Sequence, residues 1–159
     1  MKTTLSVGDK SLNVVCNAFT PILFRQIFKR DFLVEFSSMS DKASELIKKS
    51  QDLAKLQKDL EDKAITQEEY LKRFTDLDIS SESIESMNSR SELASMLLFV
   101  MNKQSEEEEP MKLYKLSEVD YFSFLCQFEK GELNTDSVIG QVLAVWKNDS
   151  KALVESKNA

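Results

Sequence analysis

Leu5 and Val7 alternate with Thr4 and Ser6, and Leu12, Val14, Cys16 and Ala18 alternate with Ser11, Asn13 and Asn17. A period of two marks strands with one buried face. The intervening Gly8-Asp9 pair has glycine first, the signature of a type II′ hairpin turn. That turn sets Val7 opposite Lys10, Leu5 opposite Leu12 and Thr3 opposite Val14, which gathers the apolar residues on one face. A lone hairpin is marginal in water, so this one must lie on helices or join strands of another chain.

The period then changes. Thr20-Pro21 predicts a helix start, with threonine capping free amides and proline at a position whose N–H is unpaired anyway. Leu23, Phe24, Ile27, Phe28, Phe32 and Phe36 follow at helical spacing, with Arg25, Gln26, Lys29 and Arg30 off the stripe. Residues 37–41 interrupt it. A second helix is expected over about 42–63, where Leu46, Leu53 and Leu60 recur every seven residues; Lys49 and Lys63 interrupt the seam, which makes a surface helix with a narrow contact stripe. Thr66 and Glu69 form a capping box for a short helix carrying Tyr70, Leu71 and Phe74.

Residues 78–89, rich in serine and acids, predict a solvated connection. Ser89 with Glu92 then opens a helix to about Lys103 whose centre, 93–101, is apolar almost all round. Glu106, Glu107, Glu108 and Glu109 before Pro110 read as an exposed acidic loop. Ser117 and Asp120 cap a further helix bearing Val119, Tyr121, Phe122, Phe124, Leu125, Cys126 and Phe128, with Gly131 as its left-handed stop. A last helix over 136–147 carries Val138, Ile139, Val142, Leu143 and Trp146, and Gly140 within it suggests a close helix contact. The expected fold is mainly α (α+β): an N-terminal hairpin on a bundle of about five to six helices. One domain over 1–147 and a flexible tail over 148–159 complete it.

Charge and composition narrow the function. Twenty-seven acidic against 21 basic residues give a net charge of −6, which argues against a nucleic-acid footprint. A local basic cluster such as Arg25, Lys29 and Arg30 is only three residues. The chain has no histidine and three glycines, so the commonest general base is missing and no glycine-rich phosphate loop can be assembled. Cys16 and Cys126 match no metal or redox spacing and read as reduced, buried thiols. Four successive glutamates lack calcium-loop spacing. Neither an apolar leader nor a membrane span is legible. No catalytic residue, cofactor, metal, nucleic-acid partner or membrane partner is expected.

Two helices apolar nearly all round are more than one small core needs. Either the bundle is tightly wrapped, or a second molecule completes one face. The candidate protein-binding residues are therefore Met96, Leu97, Phe99, Val100, Tyr121, Phe122, Phe124, Leu125 and Phe128.

The hairpin, the Thr20-Pro21 step and the run Phe24-Arg25-Gln26-Ile27-Phe28-Lys29-Arg30-Asp31-Phe32-Leu33 resemble the tail assembly chaperones of long-tailed (siphovirus-type) bacteriophages of Gram-positive hosts. The resemblance extends to size, acidity, a charged helical middle and the aromatic segment Tyr121-Phe122-Ser123-Phe124. It implies a non-catalytic viral protein of the host cell cytoplasm, absent from the mature virion. Such a protein would self-associate, bind the tape measure protein and recruit tail tube subunits. Ser156-Lys157-Asn158 is compatible with a slippery heptamer of the kind used for a programmed frameshift. A small bacterial helical adaptor or secretion-type chaperone is the alternative, and a tail component retained in the particle is another.

Overall fold

The computed structural model describes residues 2–77 and 79–147, with side chains throughout except at 40, 43 and 79–87. It is mainly helical with one two-stranded antiparallel sheet, β1 (Lys2–Val7) and β2 (Lys10–Val15). Seven α-helices follow: α1 (Thr20–Phe28), α2 (Phe32–Glu61), α3 (Gln67–Leu77), α4 (Ile79–Glu106), α5 (Pro110–Leu113), α6 (Glu118–Leu125) and α7 (Asp136–Trp146), with a 3-10 turn at Glu132–Asn134. Contacts divide the chain, expected as one domain over 1–147, into two compact units. One holds residues up to 35 together with those from 90 onward, the other residues 36–89. The expected tail over 148–159, with its Ser156-Lys157-Asn158 step, lies outside the described residues.

The hairpin register is the one the alternation predicts, with Thr3 opposite Val14, Leu5 opposite Leu12 and Val7 opposite Lys10. Gly8 takes φ +56° while Asp9 stays on the negative side, the pattern of a type II′ rather than a type I′ turn. Leu5, Val7 and Val14 are buried, each contributing about 1.5–3 kcal/mol. The second strand stops at Val15, leaving Cys16 and Ala18 beyond it. The turn settles on the segment after α6: Lys10 lies over the Phe128 ring at 4.8 Å and donates to the Gln127 carbonyl. A side chain at Gly8 would run into Glu132.

Several helix boundaries differ from the sequence expectation. Thr20 does begin α1 with Pro21 in the first turn, but its hydroxyl accepts the upstream Asn17 amide and donates to Gln104 Oε1 at 2.7 Å. The break falls at residues 29–31, not 37–41. Lys29 closes α1 in the left-handed region at φ 56°, and Asp31 Oδ1 caps α2 by accepting the Leu33 and Val34 amides. From there α2 runs unbroken through Ser37 and Asp41 to Glu61, with a left-handed Lys63 just beyond it and the Ala64 N–H bonded back to the Asp59 carbonyl. The predicted connection over 78–89 is helical from Ile79 onward, so Ser89 lies inside α4 and not at its cap. That stretch has neither proline nor glycine to stop a helix. The short α5 between the acidic loop and Ser117 was not expected.

Three further positions are corrected. α6 ends at Leu125 rather than Phe128, and Gly131, at φ 89°, opens the 3-10 turn instead of closing α6. Gly140 marks no close contact, since a Cβ there would meet nothing within 4 Å. Cys126 is exposed and Cys16 half-buried. Three expectations match: Thr66 Oγ1 accepts the Glu69 amide, Asp120 accepts the Ser117 amide, and the last helix covers the predicted residues.

Candidate association surfaces

The first unit is organised around α4. Every residue from 93 to 101 is buried, and Leu97, Leu98, Phe99, Val100 and Met101 are fully so. The Phe99 ring meets Phe28, Tyr121 and Phe124 at 6.3, 5.6 and 5.4 Å. Phe28 in turn meets Phe24, Phe24 meets Phe32, and Phe32 meets Trp146 at 4.4 Å. One chain of rings thus joins α1, the start of α2, α4, α6 and α7. Polar groups inside it are matched: Ser95 and Tyr121 share a 2.7 Å hydrogen bond, and burial pushes the Tyr121 phenol above its usual range. Among the described residues no buried side-chain nitrogen or oxygen lacks a partner.

The C-terminal part of α4 latches the hairpin and the loop after it. Asn102 Nδ2 and Ser105 Oγ both donate to the Asn13 carbonyl, at 2.9 and 2.7 Å, and Gln104 Nε2 donates to Asn17 Oδ1 at 3.0 Å. These contacts fix the helix just beyond the all-apolar run. The apolar run itself is covered within the chain.

The nine candidate binding residues therefore separate. Met96, Leu97, Phe99, Val100, Tyr121 and Phe124 are interior, Leu125 and Phe128 are half-buried, and Phe122 alone is broadly exposed, at 57%. With Val119, Phe122 makes a short apolar row on the outer side of α6.

The second unit is built differently. Leu56 is buried between α2 and α3, beside a cleft of about 230 Å³ lined by Asp52, Lys55, Asp59, Arg73 and Leu77. No residue of α3 is buried, although the helix is amphipathic. Tyr70 and Phe74 stack on each other at 6.1 Å, and Leu71 and Phe74 are 56% and 44% exposed. Ile47 of α2 is exposed as well. The capping box announces this helix in the sequence, but its apolar arc is not among the nine candidate residues. Its signal was there: aromatics at i and i+4 in a helix otherwise charged.

The charged side chains singled out in the sequence have local partners. The basic cluster is engaged locally: Arg25 pairs with Asp31, Arg30 forks onto Glu35 and reaches Glu92 at 2.9 Å, and Lys29 donates to the Gln26 carbonyl. Glu35 and Glu92 hold the Arg30 guanidinium charged, raising its pKa. In the acidic loop, Glu107 accepts the Glu109 amide and lies near Lys112, which keep its carboxyl below the usual range. Among the described residues no group of three or more His, Cys, Asp and Glu side chains is placed to hold a metal. No described helix is long and apolar enough to cross a membrane.

Comparison with protein-family models, curated proteins and solved structures finds no match to this chain.

Proposed function

We propose that this chain is a non-catalytic tail assembly chaperone of a long-tailed bacteriophage, which self-associates, binds the tape measure protein and recruits tail tube subunits in the host cytoplasm. The observation that carries the reading is the contrast in cover. The apolar run 93–101 of the first unit is covered along its length, whereas no residue of α3 is buried and Leu71 and Phe74 are 56% and 44% exposed. An amphipathic arc of this kind suits a helical client, which would lay its own apolar stripe against it. The resemblance over residues 20–33 supplies the family, and the acidic exterior suits a carrier that must stay soluble and let go.

The test is capture of purified tape measure protein, with mass spectrometry of mature virions alongside. The reading expects a complex with the wild type, a much weaker one with Leu71→Asp/Phe74→Asp, and no copies in the virion. Failure of the wild type to capture the tape measure protein sinks it and leaves the small bacterial adaptor. Stoichiometric copies in the particle would make the chain a structural component instead.

A further inference from the structure

The hairpin register determines which backbone groups face outward. Val7 and Lys10 close the two-residue turn as a hydrogen-bonded pair, so Ser6, Thr4 and Lys2 direct their N–H and C=O groups away from β2. At Ser6 both groups are taken by one side chain. The Ser6 amide donates to Gln141 Oε1 at 3.1 Å, and the Ser6 carbonyl accepts from Gln141 Nε2 at 3.2 Å. Gln141 is 2% exposed, and its Nε2 also lies 3.3 Å from the Ser137 carbonyl and hydroxyl oxygens. A carboxamide in this pose offers the donor and acceptor that a neighbouring strand residue would offer. On β2 the Asn13 carbonyl is likewise taken, by Asn102 and Ser105. Among the described residues, nothing pairs with the outward backbone groups of Lys2 and Thr4.

We propose that the outer edge of β1 is a latent pairing surface for β1 of a second copy of this chain, and that Gln141 is the clip that keeps it closed. The outward residues are symmetric about Thr4. A two-fold antiparallel pairing centred there sets Thr4 opposite Thr4 and Lys2 opposite Ser6, each as a pair exchanging two hydrogen bonds. No lysine faces a lysine in that register, so like charges do not oppose it. With Gln141 on Ser6 the outer pairs are lost and only the central one remains, too little to hold two chains. Open strand edges invite this kind of pairing, and a side-chain clip is a way to prevent it. The inference needs only the hairpin and α7, and stands apart from the tail reading.

The test compares the full-length wild type with Gln141→Ala and with Gln141→Met, which keeps the side-chain volume and helix propensity where alanine leaves a gap. Circular dichroism establishes that each is folded, light scattering over a concentration series reads self-association, and hydrogen exchange reads the Ser6 amide. The expected result is tighter self-association by about tenfold or more, a difference of about 1.4 kcal/mol. Adding Thr4→Pro should return the mass to that of the wild type, since proline removes an outward N–H and no backbone bond of the hairpin, losing only the exposed Thr4 hydroxyl bond to Asn13 Oδ1. If Gln141→Ala does not fold, Gln141→Met decides. A folded Gln141→Met variant with the wild-type mass overturns the proposal, as does added association that Thr4→Pro leaves intact. Gln141→Met failing to fold overturns it too, because the amide would then be holding the fold and not guarding an edge. Tape measure capture is a separate readout, so the two readings fail independently.

Discussion

Residues 93–101 of α4 and the helix α3 both carry large apolar side chains, yet they end in opposite places. The first run is buried along its whole length, and the second buries nothing. The difference lies in what surrounds each. Aromatic side chains of α1 and α6, with α4's own hydrogen bonds to the hairpin, surround the apolar run of α4. α3 faces one narrow stripe on α2 around Leu56. Apolar density therefore marks the core of this chain, and the thin aromatic arc on the charged α3 is among the apolar surfaces left open. Surfaces for a partner are sought more profitably on α3, and on Val119 and Phe122 of α6, than on the richest hydrophobic run.

The largest test of that contrast is Phe99→Ala, which empties the centre of the ring cluster and should cost about 3–5 kcal/mol in denaturant unfolding. A loss below about 1 kcal/mol would mean the cluster is not the core. Tyr121→Phe comes next: it removes the phenol's hydrogen bond to Ser95, whose hydroxyl keeps its bond to the Glu92 carbonyl, and should cost about 1 kcal/mol at neutral pH. The same residue gives a pH signature. Burial keeps the folded phenol protonated above the usual value of about 10, so beyond that pH the unfolded chain ionises first and binds fewer protons. Wild-type stability should fall as pH rises through that window, and the Tyr121→Phe variant should lack this component of the slope.

Gly140→Ala should act in the other direction. The added methyl meets nothing and the helix loses a flexible residue, so α7 should gain about 0.5–1 kcal/mol, read as a higher midpoint with an unchanged slope. The smallest effect on stability is expected from Phe74→Asp, within about 0.5 kcal/mol, because the ring is 44% exposed and its stacking partner Tyr70 lies on the same helix. A large destabilisation would show that α3 is part of a core after all, and would remove the argument for a docking face.

Legibility followed the range of the interactions. The hairpin was readable because alternation, a glycine-first turn and register are local properties, and both α3 and α6 were announced by capping boxes whose partners sit three residues apart. The break at residues 29–31 was missed because Lys29 adopts a left-handed conformation that its side chain does not advertise, while Asp31 could have been recognised as a cap. The helical stretch from Ile79 was missed because serine and glutamate are neutral evidence between loop and helix. Six of the nine candidate binding residues proved interior, since periodicity reports how much of a helix is apolar and not how many neighbours cover it.

What the amino-acid order alone determined is the set of elements: two strands in one register, amphipathic helices with their caps, an acidic chain without histidine. Those depend on spacings of two to four residues, which the backbone reads directly. Tertiary structure decided which apolar faces became interior and which stayed open. It also decided that Gln141, unremarkable within its helix, would meet the edge of a strand 135 residues away. Burial is a property of what arrives from elsewhere in the chain, and no local pattern carries that information.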